Sequence, residues 1–226
     1  MDFSKSSFSW GRPLTDYSKV QWLLSQVRRN NRYFVPRIEP GAYLNVGCGP
    51  NIRSGYVNVD YNWRPGVDLC VDITKPFPIG DGMVGGIYME HCLEHLPLAG
   101  ARAFFKDCLR MMRPGAVIRL IVPDLELYAR TYVDSLDGKS PVFPNEYYTN
   151  TLNVNQPVAL INELFYGPDH RFNYDYRTLA EVLQQSGFVE PAKLSINQGQ
   201  DPKLLIDDRS HVSESLYVEA RKPPRS

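Results

Sequence analysis

The feature that most constrains the fold is an apolar run ending in a glycine turn, followed closely by a second apolar run ending in an acid. The first run, Leu44–Val46, leads into Gly47-Cys48-Gly49, and the second, Val57–Val59, ends at Asp60. Glycine adopts positive φ at little cost and lets a ligand approach the main chain. An aspartate at the tip of the neighbouring strand can accept hydrogen bonds from both hydroxyls of a ribose. The two runs therefore predict adjacent strands that bind a nucleoside.

The same turn departs from the pattern of a dinucleotide site. Such a site needs a third glycine and a long helix whose N-terminus faces pyrophosphate. Here Ile52 stands at the third glycine position, Pro50 has no N–H for a phosphate, and Asp60 follows too soon for a full helical crossover. A nucleoside without phosphates tolerates all three departures. S-adenosylmethionine, whose tail is a zwitterionic amino acid in place of phosphates, is such a molecule, and a tight turn without a ligand is the structural alternative for the glycine pair.

Strand patterns alternate with helical patterns along most of the chain. Strand-like runs occupy 42–46, 56–59, 67–71, 84–89, 116–122, 192–197 and 214–221, and helical patterns occupy 98–112, 125–136, 157–165 and 176–186. This alternation predicts an α/β fold with a Rossmann-like, doubly wound, mostly parallel seven-stranded sheet and helices on both faces. Residues 1–40, with a helix from Asp16 to about Arg29, are predicted to form an N-terminal helical extension. Residues 41–226 form the main domain, with an aromatic-rich lid insertion at about 137–176.

Composition narrows the classes of partner. The 226 residues include 25 basic and 25 acidic side chains, so no net field favours nucleic acid. The four cysteines are widely separated without a CxxC pair, which indicates reduced, buried thiols rather than a zinc knuckle. No apolar run approaches the ~20 residues that a membrane span needs, and the first residues lack a secretion signal. We expect a cytoplasmic protein that binds no nucleic acid.

Several runs occur together in an order and spacing that is more specific than any one of them. They are Leu44–Asn51, Gly55–Asp60, Asp72…Pro76-Phe77-Pro78…Asp81-Gly82, Glu90–Leu96, Arg110…Arg113-Pro114-Gly115, Val122-Pro123-Asp124-Leu125 and His170-Arg171-Phe172…Tyr176…Gly187-Phe188. Together they resemble the class I S-adenosylmethionine-dependent methyltransferases, and most closely a bacterial subgroup associated with glycan and polysaccharide synthesis. The resemblance covers about residues 41–125 and 170–188.

The resemblance implies a role for each matching residue. The implied cofactor-binding set is Asn45, Gly47, Cys48, Gly49, Asp60, Asp72, Ile73, Glu90 and His91. The glycine turn would line the methionine tail, Asp60 would bind the ribose, and Asp72 with Ile73 would lie beside the adenine. Glu90 and His91 would lie near the sulfonium and the acceptor. For Asp72, a cap of a helix or turn stays open as an alternative.

Position 45 differs from the family. The first strand of these enzymes usually has an acid there, which would bind the ammonium group of the cofactor, whereas this chain has Asn45. We therefore expect tail binding to rest on backbone carbonyls. The substitution also leaves open a second function, a non-catalytic nucleoside-binding module that supports a partner enzyme.

Three side chains are candidates for the general base: His170, His91 and Asp124. His170 lies in a loop, Gly167–Arg171, that is predicted to fold over the cofactor site, and the pKa range of histidine suits proton transfer. The aromatic lid favours a small-molecule acceptor such as a sugar, a polyketide or a phenolic. We predict methyl transfer to a hydroxyl of a sugar or glycan precursor, and a homodimer is left open.

One motif supports a competing function. His91-Cys92-Leu93-Glu94-His95 matches HxxEH, the inverted zinc-peptidase signature. That motif needs a helix of several turns, but Pro97 follows two residues after His95, and no third ligand is evident on a nearby helix. A zinc metallopeptidase is therefore the less favoured alternative, and no metal site is predicted. His95 is expected to bond backbone at the helix start.

Overall fold

The computed structural model describes residues 16–139, 157–166 and 169–224, with side chains from residue 19. Its helices are α1 (Asp16–Arg28), α2 (Leu98–Met111), α3 (Leu125–Leu136), α4 (Pro157–Tyr166) and α5 (Tyr176–Ser186). Its strands are β1 (Ala42–Val46), β2 (Val57–Asp60), β3 (Leu69–Cys70), β4 (Val84–Glu90), β5 (Met112–Pro123), β6 (Val189–Leu194) and β7 (Ser215–Arg221). Short 3₁₀ turns lie at Arg32–Phe34, Leu93–His95, Pro202–Leu204 and Arg209–His211.

The seven strands form one sheet in the order β3-β2-β1-β4-β5-β7-β6. Strands β1 to β5 are parallel, β7 is antiparallel to β5, and β6 is antiparallel to β7. The chain proceeds from β1 to one side of the sheet and from β4 to the other, so the order reverses between them. Ligands of such sheets bind outside the carboxyl ends of the strands at this switch point. The predicted Rossmann-like, mostly parallel sheet is confirmed.

The two faces of the sheet are covered differently. One face forms the main core, where Ile87 and Ile118 pack with Phe104 of α2 and Leu183 of α5. The alternate side chains of β4, β5 and β7 point to the other face, because successive residues of a strand point in opposite directions. There, Tyr88, Val117, Ile121 and Tyr217 pack with Leu204 of a 3₁₀ turn. The 195–208 segment therefore covers this part of the sheet.

A buried ionic group, which we call the Arg119 cluster, holds that segment in place. It consists of Arg119 on β5, Glu219 on β7 and Asp207, all with fully buried side chains. Arg119 Nε donates to Asp207 Oδ1 at 2.7 Å, and Arg119 Nη1 donates to Glu219 Oε1 at 2.9 Å. The N–H groups of Asn197 and Gln200 donate to the two carboxylates at 2.6 and 2.8 Å. The sequence reasoning did not predict this cluster.

Several boundaries differ from the sequence prediction. Strand β5 begins at Met112, directly after α2, although Arg113-Pro114-Gly115 was expected to separate the two elements. Strand β6 ends at Leu194, earlier than predicted, because a turn follows in which Gln198 N–H donates to the Ser195 carbonyl at 3.1 Å. The C-terminal glycine of α5 is as predicted, since Gly187 has φ +105°.

Helix α1 confirms the predicted N-terminal helix, but the apolar residues of its one face are largely exposed. Val20 and Leu23 are each 56% exposed and Val27 is 47% exposed. The buried residue is Ser25, whose hydroxyl accepts a hydrogen bond from Trp63 N–H at 2.7 Å. The helix therefore makes a polar contact with the connection between β2 and β3.

Part of the predicted lid can be described. Residues 137–139, 157–166 and 169–176 belong to it, and the remaining lid residues, including Phe143, Tyr147 and Tyr148, lie outside the described residues. Leu160 and Leu164 of α4 pack with Tyr128 of α3 in a separate apolar cluster. None of the helices in the described ranges has the length and apolar character needed to cross a membrane.

Candidate functional site

The turn after β1 and the tip of β2 lie side by side at the carboxyl edge of the sheet, next to the switch point between β1 and β4, and we call this region the crevice. Gly49 N–H donates to Asp60 Oδ2 at 2.8 Å, and Asn62 N–H donates to Asp60 Oδ1 at 2.8 Å. Gly49 has φ +50°, and a Cβ built there would meet nothing within 4 Å. Because a carboxylate oxygen has two lone pairs, each oxygen of Asp60 can accept a further hydrogen bond. The crevice therefore offers an oriented carboxylate beside open main chain, which suits a vicinal diol.

The two glycines of the turn do different things. Gly47 has φ +68°, and a Cβ there would lie 2.5 Å from the Cβ of Cys92. Glycine is therefore required at 47 by packing against Cys92 as well as by its backbone conformation. Between the glycines, burial raises the pKa of the Cys48 thiol to about 12, so the side chain remains uncharged at neutral pH.

Asn45 is part of a buried polar network. Its Nδ2 donates to the Asn51 carbonyl at 2.8 Å and to Asn58 Oδ1 at 3.0 Å. Asn58 Oδ1 also accepts a hydrogen bond from Arg53 N–H at 2.8 Å. These bonds hold the loop that follows the glycine turn against β2. A carboxylate at position 45 could not donate either bond, which gives the departure from the family pattern a structural explanation.

Asp72 and Ile73 follow β3, the predicted adenine side of the crevice. Asp72 Oδ1 accepts hydrogen bonds from Thr74 N–H at 3.1 Å and from Thr74 Oγ1 at 2.6 Å. Lys75 Nζ lies 3.5 Å from the other carboxylate oxygen. Asp72 thus caps a turn, the alternative that the sequence had left open. Ile73 is half-buried and packs against the main core.

The residues at the end of β4 contact segments from elsewhere in the chain. Glu90 Oε1 accepts a hydrogen bond from Asp208 N–H at 3.1 Å. His91 adopts φ +44°, an uncommon backbone conformation for a residue with a side chain. Its Nε2 lies 2.8 Å from Ser215 Oγ at the start of β7. Both side chains therefore lie at the carboxyl edge of the sheet, as predicted.

All four histidines of the chain line one cavity of about 120 Å³ beside this edge. We call it the histidine cavity, and its polar lining includes His91, Glu94, His95, His170, His211 and Glu214. The 91–95 run also contacts the crevice, because Cys92 packs against Gly47. The histidine cavity and the crevice are therefore neighbours.

Glu94 is the most unusual side chain of the cavity. It is fully buried, and neither carboxylate oxygen has a hydrogen-bond partner among the described residues. Its Oε1 lies 3.5 Å from His91 Nδ1 and 3.9 Å from His170 Nε2, which are charge contacts rather than hydrogen bonds. Burial opposes ionisation, but the nearby imidazoles of His91 and His95 more than offset it and lower the pKa of Glu94.

His170 is held from both sides of its loop. Its Nδ1 lies 2.6 Å from the Leu164 carbonyl, and N–H groups of Arg171 and Phe172 donate to the Glu94 carbonyl at 2.7 and 3.1 Å. Burial lowers the pKa of His170, although the negative charge of Glu94 opposes this effect. The His170 loop is therefore fastened to the 3₁₀ turn that carries Glu94.

His95 makes a ring contact where a backbone hydrogen bond was expected. Its ring centroid lies 5.1 Å from that of His170 in an edge-on arrangement. The HxxEH run continues only as one 3₁₀ turn, Leu93–His95, before Pro97. It therefore lacks the long helix of the peptidase motif, as the sequence predicted.

His211 and Glu214, which sequence reasoning missed, form a hydrogen-bonded pair on another wall of the cavity. His211 Nδ1 lies 2.7 Å from Glu214 Oε1, and Tyr128 Oη donates to Glu214 Oε2 at 2.9 Å. The hydrogen bond to Glu214 raises the pKa of His211. The His211 ring centroid lies 4.4 Å from that of His91. The close spacing of a histidine and a glutamate before a strand was the only sequence signal for this pair.

Asp124, the third base candidate, has two structural contacts. Its Oδ1 caps α3 by accepting a hydrogen bond from Glu126 N–H at 3.1 Å. Its Oδ2 accepts a hydrogen bond from Lys193 Nζ at 3.0 Å. Both contacts tie the carboxylate to the protein, whereas His91 and His170 line the cavity.

No protein-family model and no curated protein matches this sequence. The chain is similar to several solved structures. A methyltransferase of Archaeoglobus fulgidus, described as SAM-dependent, has 16% identity and a TM-score of 0.49 over 89% of this chain and 94% of that one. The 1,6-didemethyltoxoflavin-N1-methyltransferase of Burkholderia thailandensis, bound to S-adenosylhomocysteine, has 15% identity and a TM-score of 0.45 over 82% and 72%. Phosphoethanolamine N-methyltransferase 2 of Haemonchus contortus, with S-adenosyl-L-methionine, has 11% identity and a TM-score of 0.47 over 89% and 53%. At identities of 11–16% these similarities do not identify a substrate, which depends on the residues of the site.

Proposed function

We propose that this protein is an S-adenosylmethionine-dependent methyltransferase that methylates a hydroxyl of a small molecule, such as a sugar or glycan precursor. The observation that carries the proposal is the Asp60 carboxylate, oriented by the N–H groups of Gly49 and Asn62 at the carboxyl edge of the sheet. This geometry suits the two hydroxyls of a ribose. When bound, the cofactor supplies an electrophilic methyl group.

The remaining contacts of the crevice fit the rest of that cofactor. The open main chain at Gly49 and the uncharged thiol of Cys48 suit the methionine part. Arg64 Nε is buried without a hydrogen-bond partner among the described residues, and its charge acts on Cys48. A guanidinium at this place could pair with the carboxylate of the tail. Arg64 was not among the residues that the sequence suggested.

The histidine cavity is the proposed acceptor site. It adjoins the crevice across Cys92 and contains His91 and His170, two of the predicted bases. A hydroxyl acceptor must lose its proton, and a positioned base contributes about 10²–10⁴-fold to such a step. His170 is expected to be neutral at pH 7, since burial lowers its pKa, so it can accept a proton. This arrangement favours transfer to oxygen.

Calorimetric titration with S-adenosylmethionine tests the cofactor site. Asp60→Asn should weaken binding about 10- to 100-fold, because a hydrogen bond to a charged group contributes roughly 1.5–3 kcal/mol. The matched control is Asp81→Asn, whose carboxylate is 80% exposed and pairs with Arg110. The control should bind as the parent does. Equal binding by the parent and by Asp60→Asn would refute the site.

Transfer of labelled methyl from S-adenosylmethionine into sugars, phenolics and a metabolite extract tests the reaction. His170→Ala should lower kcat for a hydroxyl acceptor by about 10²–10⁴-fold. Full activity of this variant would indicate a nitrogen acceptor, which needs less help from a base. Cofactor binding without any transfer would favour the support module, which the uncharged Asn45 first suggested.

A further inference from the structure

Two sets of three side chains in the histidine cavity carry metal-ligand atoms close together. One set is Glu94, His95 and His170, and the other is His91, His211 and Glu214; within each set the ligand atoms lie within 4.8 Å of one another. Hydrogen bonds already engage the second set. His211 bonds Glu214, Tyr128 donates to Glu214, and His91 contacts Ser215.

The carboxylate of the first set, in contrast, is not engaged by hydrogen bonds from the described residues. Both carboxylate oxygens of Glu94 are buried without a hydrogen-bond partner among the residues described. Burying an ionised carboxylate in this way is costly unless a cation or a donor compensates it. One of its oxygens, Oε1, lies 3.5 Å from His91 Nδ1 and 3.9 Å from His170 Nε2. The neighbouring imidazoles favour the ionised carboxylate but donate no hydrogen bond to it, and a cation in the cavity would supply the bonds that both oxygens lack.

The orientation of His170 supports a metal ion as that ligand. A carbonyl only accepts hydrogen bonds, so the 2.6 Å contact with Leu164 places a proton on Nδ1. In the neutral ring, the lone pair of Nε2 then faces Glu94 Oε1 at 3.9 Å. Metal-bound histidines commonly donate their other N–H to a carbonyl in this way. Two ligands of a tetrahedral zinc ion lie about 3.4 Å apart. The Glu94–His170 pair at 3.9 Å, and the whole set within 4.8 Å, therefore need a small movement of side chains to bind an ion.

We propose that Glu94, His95 and His170 bind a divalent transition-metal ion of the zinc class, with an open coordination position facing the histidine cavity. Two imidazoles with one carboxylate suit zinc and its neighbours rather than magnesium or calcium. Three protein ligands with one open position are the pattern of a catalytic rather than a structural site. The sequence predicted no metal because the third ligand, His170, comes from a distant loop.

This site differs from the peptidase reading of HxxEH. There, His91 and His95 would bind zinc and Glu94 would act as a base. Here Glu94 is itself a ligand, and His91 contacts Ser215. The metal site does not depend on the proposed methyl transfer. If both hold, the ion would bind the acceptor hydroxyl and lower its pKa, and His170 would serve as a ligand rather than a free base.

Zinc binding by the full chain tests the proposal. The protein is stripped with a chelator, reloaded with zinc and dialysed, and the bound metal is measured by mass spectrometry and chelator competition. One zinc ion per chain is expected. Glu94→Gln and His170→Gln should each weaken binding by more than about 100-fold, since even partners outside the ligand set change affinity 10- to 100-fold. X-ray absorption of the zinc-loaded parent should show two imidazole ligands and does not depend on any variant.

The matched control is His211→Gln, which alters a histidine of the same cavity that is outside the proposed ligand set. It should bind zinc as tightly as the parent. Absence of zinc from the parent, tight binding by Glu94→Gln, or a selective loss in His211→Gln would each overturn the proposal. Far-ultraviolet circular dichroism of every variant shows that the fold is kept. S-adenosylmethionine titration separates the two proposals, because Asp60→Asn should weaken cofactor binding and keep the metal.

Discussion

The Arg119 cluster and the histidine cavity both contain fully buried carboxylates, but Glu94 in the cavity, unlike those of the Arg119 cluster, accepts no hydrogen bond from the described residues. Asp207 and Glu219 accept hydrogen bonds from Arg119 and from backbone N–H groups. Glu94 accepts none from the described residues, although it is equally buried. The first region uses its charges to attach a segment to the sheet. The second leaves both oxygens of a carboxylate without a hydrogen bond from the described residues beside a cavity, which is the pattern expected where a ligand supplies the missing partner.

Replacement of Arg119, the cation of the Arg119 cluster, should have the largest effect on the free energy of unfolding. Arg119→Met leaves Asp207 and Glu219 buried without their counter-ion, and loss of one partner of a buried pair costs about 3–5 kcal/mol. Urea unfolding should therefore show a large loss in the free energy of unfolding. The control is Arg130→Met, which breaks an exposed pair with Glu126. A comparable loss in the free energy of unfolding in both variants would mean that the Arg119 cluster contributes no more to stability than an exposed ion pair.

The Asn45 network extends the comparison to a neutral buried group. Asn45→Asp removes two donated hydrogen bonds and turns a carboxylate toward two oxygens, which should cost about 1–3 kcal/mol. Asn162→Asp makes the same chemical change at an exposed position of α4 and should change stability little. Unfolding curves of the two variants measure the difference. If Asn45→Asp were as stable as the parent, the network would not hold the loop.

Replacement of Glu94 should change the free energy of unfolding less than replacement of Arg119 does. In metal-free protein at pH 8, Glu94→Gln breaks no hydrogen bond to a described residue and removes a buried charge. The free energy of unfolding should change by about 1 kcal/mol or less. The measurement is urea unfolding with a chelator present. A loss above about 3 kcal/mol would place Glu94 in the same class as the Arg119 cluster.

Protonation of the cavity histidines should have the smallest effect on the free energy of unfolding. The effect should have opposite signs for His170 and His211. The pKa of His170 is lowered by burial, so its contribution is present above the unfolded pKa of 6.5 and is lost as the pH falls through the folded value. The pKa of His211 is raised by Glu214, so its contribution is present below 6.5 and is lost as the pH rises through the folded value.

Unfolding of chelated protein between about pH 5.5 and 8.5 separates these effects. His170→Gln should reduce the loss of stability toward acid, and His211→Gln should reduce the loss toward alkaline pH. Curves of identical slope in parent and variants would show that neither histidine is coupled to folding.

Much of the fold could be predicted because its signals are local. The runs at 42–46 and 84–89 became strands, and Gly187 ended α5, because periodicity and turn chemistry depend on neighbouring residues. The buried side of α1 could not be predicted, since it depends on Trp63, which lies in the connection between β2 and β3. The glycine turn and Asp60 were placed together because the carboxyl ends of neighbouring parallel strands share an edge.

The sequence by itself determined the strands, the glycine turn and the acid at the tip of β2, because each is set by residues close in the chain. Only the tertiary structure decided that Asn45 supports a loop, that Arg119 has two buried partners, and that His170 and His211 meet the 91–95 run. These contacts join residues from 13 positions apart, as for Asn45 and Asn58, to 100 positions apart, as for Arg119 and Glu219. Such partners are chosen by the packing of the whole sheet and its loops, which local pattern does not encode.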